Sequence, residues 1–132
     1  MAALKGAKTV GAPFDNAVEV VRVVYDFAQD GGQVEDNTVL IADGDLLVRC
    51  IGVRTETAFT SGGAATVDLG KGLAGVEFVS GEAFGTFTAA GFYASESAAF
   101  VKLASAEFIN LGVAVAALTA GKCEFIFEIA QA

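Results

Sequence analysis

The chain contains no histidine, and that gap limits what its side chains can do. Histidine is the commonest general base, the usual partner of a catalytic serine or cysteine, and the commonest transition-metal ligand. Ser-His-Asp triads, Cys-His dyads and histidine-built zinc centres are therefore excluded. What remains is carboxylate chemistry. Asp26, Asp30, Glu35, Asp36, Asp43 and Asp45 form the one local concentration of acids. Oxygen ligands on a tight turn such as Asp43-Gly44-Asp45 suit calcium, but the spacing departs from the helix-flanked calcium loop. Asp and Gly also collect in turns for purely conformational reasons. A pair of carboxylates is what a glycosidase needs, yet no spacing singles out such a pair here.

Other candidates weaken in the same way. Gly31-Gly32 and Gly62-Gly63 lack the helix start, lysine and hydroxyl of a phosphate loop, so they read as turns. Cys50 and Cys123 fit no metal or redox spacing. Cys50 shares strand parity with Leu46 and Val48, and Cys123 with Phe125 and Phe127, so both are expected as buried, reduced thiols. No catalytic, cofactor-binding or metal residue is assigned, and a protein that is not an enzyme is expected.

The charge balance narrows the partners. Eight basic residues against sixteen acidic ones leave a net charge of −8. The basic residues are scattered, with only Arg49 and Arg54 close together. Nucleic-acid binding needs a basic patch and is not expected. With eleven Phe and no Trp, the aromatic residues read as core, not as a stacking platform. The apolar runs fall far short of the roughly twenty residues a membrane helix requires. Met1-Ala2-Ala3-Leu4-Lys5-Gly6 is too mixed for a signal peptide, so synthesis in a cytoplasm is expected. A 54% hydrophobic content spread over short strands implies surface to be hidden, which points to an oligomer.

The elements that position these residues are strands. From Cys123 the pattern has period two, with Cys123, Phe125, Phe127 and Ile129 on one face and Glu124, Ile126 and Glu128 on the other. Leu111, Val113 and Val115 alternate before it, and a turn at Gly121 predicts a terminal hairpin. Val18 to Phe27 is a β-branched strand with Val21, Val23, Tyr25 and Phe27 opposite Val18, Val20 and Val24. Thr38 to Ala42 is a short strand. Leu46 to Phe59 is a long one, with Leu47, Ile51 and Val53 opposite Leu46, Val48 and Cys50. Thr60-Ser61-Gly62-Gly63 is expected to close a hairpin into Ala64 to Leu69. Between Gly70 and Ala99 the aromatic residues have no fixed spacing; short strands fit, with one short helix near Gly81 to Thr88. Phe100 to Leu103 and Phe108 to Val115 complete the count. The expectation is a single all-β domain over 17–132, a β-sandwich of jelly-roll type, preceded by a flexible N-terminal arm over 1–16. A short edge strand around Thr9 and Val10 is the alternative for that arm.

Three segments carry a resemblance: Tyr25-Asp26-Phe27-Ala28-Gln29-Asp30-Gly31-Gly32, then Thr57 to Gly70, then Val113 to Lys122 followed by the alternating aromatic strand. Together they resemble small virion proteins of tailed bacteriophages, similar to capsid decoration or cement proteins. The resemblance runs from about residue 18 to the end, with nothing specific between Lys71 and Leu103. It implies a non-enzymatic jelly-roll module that binds the major capsid protein on the outside of the shell as a homotrimer and stabilises it. It also implies a virion location after synthesis in the host cytoplasm, with no nucleic-acid or membrane partner. The arm, with Lys5 and Lys8, is then a candidate for reaching a neighbouring subunit. The alternative is a head-fibre, tail or host-attachment β-sandwich that binds carbohydrate or calcium.

Overall fold

The computed structural model describes residues 2–14 and 17–132. In chain order these form β1 (Ala2–Val10), β2 (Val18–Asp26), α1 (Phe27–Asp30), β3 (Asp36–Ala42), β4 (Leu46–Ser61), β5 (Thr66–Lys71), β6 (Val79–Ala83), a 3-10 turn (Phe84–Thr86), β7 (Phe92–Ala94), β8 (Val101–Leu103), β9 (Phe108–Ala114) and β10 (Leu118–Gln131). The strands make two sheets. The first has the order β1-β3-β9-β5-β6; the second has β2-β10-β4-β7, with β8 also paired to β4. The sheets pack face to face around one core, so the all-β sandwich expected from the sequence is the observed class.

β10 lies at the centre of the second sheet, antiparallel to β2 on one side and β4 on the other. Cys123, Phe125, Phe127 and Ile129 all point into the core, and Glu124 and Glu128 stay half-buried on the outside. The Phe127 ring meets Phe78 edge-on at 6.3 Å and lies 6.5 Å from Phe125. A second aromatic chain runs Tyr25–Phe59–Phe87–Tyr93 at 5.7, 5.1 and 5.4 Å. Phe78 and Phe87 enter the core from outside the regular strands, which is why the aromatics of 70–99 follow no period.

Several expectations are corrected. The chain does not end in a hairpin: β9 belongs to the first sheet and β10 to the second, and residues 115–117 cross between them. The glycine-rich stretch after Ser61 likewise carries the chain from β4 in one sheet to β5 in the other. A turn signal marks where a strand stops, and it is the same for a hairpin and for a corner between sheets. Gly121 lies inside β10 at φ 146, where a Cβ would come within 2.5 Å of the Phe59 ring.

The expected flexible arm over 1–16 is largely a strand. β1 pairs parallel with β3 at Ala2–Ala3 and again at Lys8–Val10, with a break between, and Leu4 is only 3% exposed. The small residues that read as an arm serve a close approach, because a Cβ at Gly6 would lie 2.9 Å from the Val24 carbonyl oxygen. The edge-strand alternative holds over a longer stretch than Thr9 and Val10. Met1, Asp15 and Asn16 lie outside the described residues.

Val53 faces inward with Leu46, Val48 and Cys50, not opposite them. Cys50 pairs with Phe127 and Gly52 with Ile126, so Ile51 is an extra residue and the bulge reverses the parity beyond it. Finally, β2 stops at Asp26 instead of Phe27. The Asp26 carboxylate accepts the Ala28 N–H at 3.0 Å and caps a single helical turn, which Gly31 closes at φ 73. The helix read near Gly81 to Thr88 is present only as the 3-10 turn.

The register of β10 sets a mutational contrast. Phe127→Ala, at a fully buried ring, should cost about 3 to 5 kcal/mol through lost burial and a cavity. Glu128→Ala removes only a partly exposed ion pair and should cost about 1 kcal/mol or less. Urea melts check this, and equal losses at the two positions would contradict the register.

Candidate interaction surface

The outward side of the second sheet is the most distinctive surface of the molecule. Because β2, β10 and β4 are in register, their outward side chains fall into rows across the sheet. Val24, Glu124 and Arg54 form one row; Arg22, Ile126 and Gly52 form the next; Val20, Glu128 and Arg49 form the third. Charges pair along and across these rows. Glu124 Oε1 lies 2.8 Å from Arg22 Nη1 and 3.7 Å from Arg54 Nε. Arg49 Nε donates to Glu128 Oε1 at 2.6 Å, and the Arg49 guanidinium stands 5.2 Å from the centroid of the Phe100 ring. Lys122 Nζ lies 3.7 Å from Glu56 Oε2.

Between the charges the face is apolar. Val18 and Val20 are 51% and 49% exposed, and Val24 is also exposed. The Phe92 ring packs where a Cβ on Gly52 would otherwise sit, so this glycine is required for β7 to lie against β4. Of the eleven exposed large hydrophobics among the described residues, six lie on or beside this face: Val18, Val20, Val24, Ile51, Phe92 and Phe100. A solvated sheet face would normally carry polar residues at these positions.

The face also gathers the basic residues of an acidic chain. Arg22, Arg49, Arg54, Lys102 and Lys122 are five of the eight in the sequence. They share the outward side with four carboxylates, those of Asp26, Glu56, Glu124 and Glu128. Three basic and twelve acidic residues are left to the rest of the chain.

The six carboxylates singled out by sequence are not drawn into one centre. Asp26 is occupied as the helix cap. Asp30 accepts backbone N–H groups of Lys5 at 2.6 Å and Asp26 at 2.9 Å, tying β1 to the helical turn. Asp36 accepts from the Asn110 amide at 2.8 Å. Glu35 is half-buried at the approach to β3, and Asp43 and Asp45 are exposed at the corner between β3 and β4. Among the described residues no group of three or more His, Cys, Asp or Glu side chains is placed to hold a metal ion. No helix among them is long and apolar enough to cross a membrane.

Cys50 and Cys123 are free and buried on the inner face of the second sheet, as their parity predicts. Burial pushes the Cys50 thiol up from an ordinary value of 9.0 to about 12 and raises that of Cys123. Burial also raises Tyr25, helped by the nearby Cys123, Asp30 and Asp26; its hydroxyl donates to the Gly31 carbonyl at 2.6 Å.

One end of the sandwich assembles segments that are far apart in sequence. Leu118 N–H donates to the Gly32 carbonyl at 2.7 Å, Ser61 Oγ donates to the Ala117 carbonyl at 2.7 Å, and Thr60 and Thr119 hydroxyls meet at 2.7 Å. The crossing there holds Val115 at φ 70 and 73% exposed, a conformation that a β-branched residue strongly disfavours. The full extent of this face is not readable from sequence, because it needs the register of three strands. Its one local trace was Val18, Val20 and Val24 on the second side of β2.

No protein-family model, curated protein or solved structure matches this chain.

Two outcomes follow from these geometries. The folded state keeps the Cys50 proton where the unfolded chain releases it. Its contribution is therefore complete below pH 9.0 and is lost as pH rises from there towards about 12. Urea midpoints measured from pH 8 upward should fall across this window, and Cys50→Ala should flatten the fall. Separately, Val115→Gly should raise stability by about 0.5 to 1 kcal/mol, since it relieves a left-handed β-branched residue without removing core. A thermal melt showing a loss instead would mean that the Val115 side chain has packing the backbone conformation serves.

Proposed function

We propose that this protein is a non-catalytic structural protein of a tailed-phage virion, a capsid decoration module that binds the major capsid protein on the outer shell as a homotrimer. The observation that carries the reading is the outward face of the second sheet. A closed sandwich that leaves six of its large apolar side chains on one face is built to be covered by protein. The resemblance of residues 25–32, 57–70 and 113–122 to small virion proteins supplies the setting. These segments come together at one end of the sandwich.

The strand order supports a jelly-roll winding. The set β2-β10-β4-β7 faces the set β3-β9-β5-β6, and from β2 onward the chain changes sheet at every step except β5 to β6 and β7 to β8. β1 is then an added edge strand beside β3. Since Ala2–Val10 is held in its own sheet, residues 1–16 are not assigned the role of reaching a neighbour. Attachment rests on avidity: a trimer touching several capsid subunits sums weak contacts into a stable one. The shell surface is accordingly the proposed location, after synthesis in the host cytoplasm.

The test is co-sedimentation with shells assembled from the major capsid protein of the same genome. Saturable binding and a higher melting temperature of the decorated shells are expected. Shells that neither bind the protein at micromolar concentration nor gain stability would overturn the reading.

A further inference from the structure

We infer that the outward face of the second sheet is the contact between copies of this chain, three of which turn it towards a common axis. The inference rests on the assembly reading above and gives that face its occupant.

Charge selects a second copy. With a net charge of −8, two copies repel wherever acid meets acid. On this face five basic residues stand beside four acidic ones, while the rest of the chain has three against twelve. It is the broad surface on which like chains can approach without that repulsion. Its carboxylates are also already paired, Glu124 between Arg22 and Arg54 and Glu128 with Arg49. A paired ion with its hydrogen bonds in place loses less on leaving water than a lone one. A strongly charged outside partner would gain little from a face whose charges cancel.

The two halves of the face differ in a way that suits a ring. The β2 half presents Val18, Val20 and Val24; the half towards β7 and β8 presents Phe92 and the Arg49–Phe100 stack. In a cyclic trimer each contact is head-to-tail, so one copy's β2 half meets the other half of the next. Valines against aromatic rings bury apolar surface on both sides of such a contact.

Light scattering and sedimentation on the full chain decide this. The wild type should be a trimer. Val20→Asp combined with Val24→Asp should give a folded monomer, judged by near-ultraviolet circular dichroism. Leu73→Asp, at an exposed site away from the face, should remain trimeric. If the aspartate pair unfolds, the β-branched pair Val20→Thr and Val24→Thr should weaken trimer formation at least about tenfold with the fold intact. A monomeric wild type, or a trimer unmoved by every folded pair, overturns the inference whatever the shells do. A wild-type trimer that the valine pairs dissociate, but that fails to bind shells, removes the virion reading and leaves this interface standing.

Discussion

The pairing of β10 between β2 and β4 is the constraint on which the rest depends. From Lys122 to Ala130 it runs unbroken beside β2, and it meets β4 along its whole length with bulges taken up where needed. A strand's side chains alternate with period two, so a slip of one residue would expose Phe125 and Phe127 and drive Glu124 and Glu128 into the core. The aromatic row and the acidic row therefore enforce the same register from opposite sides of one strand. The bulge at Ile51 adjusts β4 to that register: it keeps Cys50 opposite Phe127, then lets Val53 turn inward opposite Phe125.

Closing the sandwich costs conformational freedom at its corners and edges. Every passage between the sheets needs a sharp change of direction, and the chain uses Gly31 and Gly44 in positive-φ conformations for two of them. Val115 does the same without that freedom and is left exposed. The β2 edge is approached by β1 through Gly6, and the Lys5 N–H bonded to Asp30 fixes that strand beyond its ladder with β3. A covered edge is protected from pairing with stray strands.

That face shows how one strand serves two purposes. The inward side chains of β2, β10 and β4 make the core, while their outward side chains make a surface that is apolar yet internally neutralised. Ion pairs there contribute little to folding, because they are partly exposed. Their larger effect is on what the surface can meet: paired carboxylates remove the acid-on-acid barrier that the remainder of the chain presents. Function, on this reading, lies in a distribution of ordinary residues over a sheet, with no reactive group at its centre.

The all-β class, the inward row of β10, the burial of both cysteines and the inner face of β2 were legible in sequence, because period-two alternation is a local property. Inter-sheet corners were not, since Ser61-Gly62-Gly63 reads alike whether the next strand joins the same sheet or the opposite one. The parity of Val53 was hidden by a bulge that depends on a partner strand some seventy residues away in sequence. β1 was mistaken for an arm because its small residues acquire their meaning only against the backbone of β2. The outward face of the second sheet is the clearest case of this division. Sequence determined that Val18, Val20 and Val24 share a side and that the basic residues are few and scattered. Only the tertiary structure decided that five of the eight stand together, because strands distant in the chain become neighbours through backbone hydrogen bonds, which carry no side-chain signature.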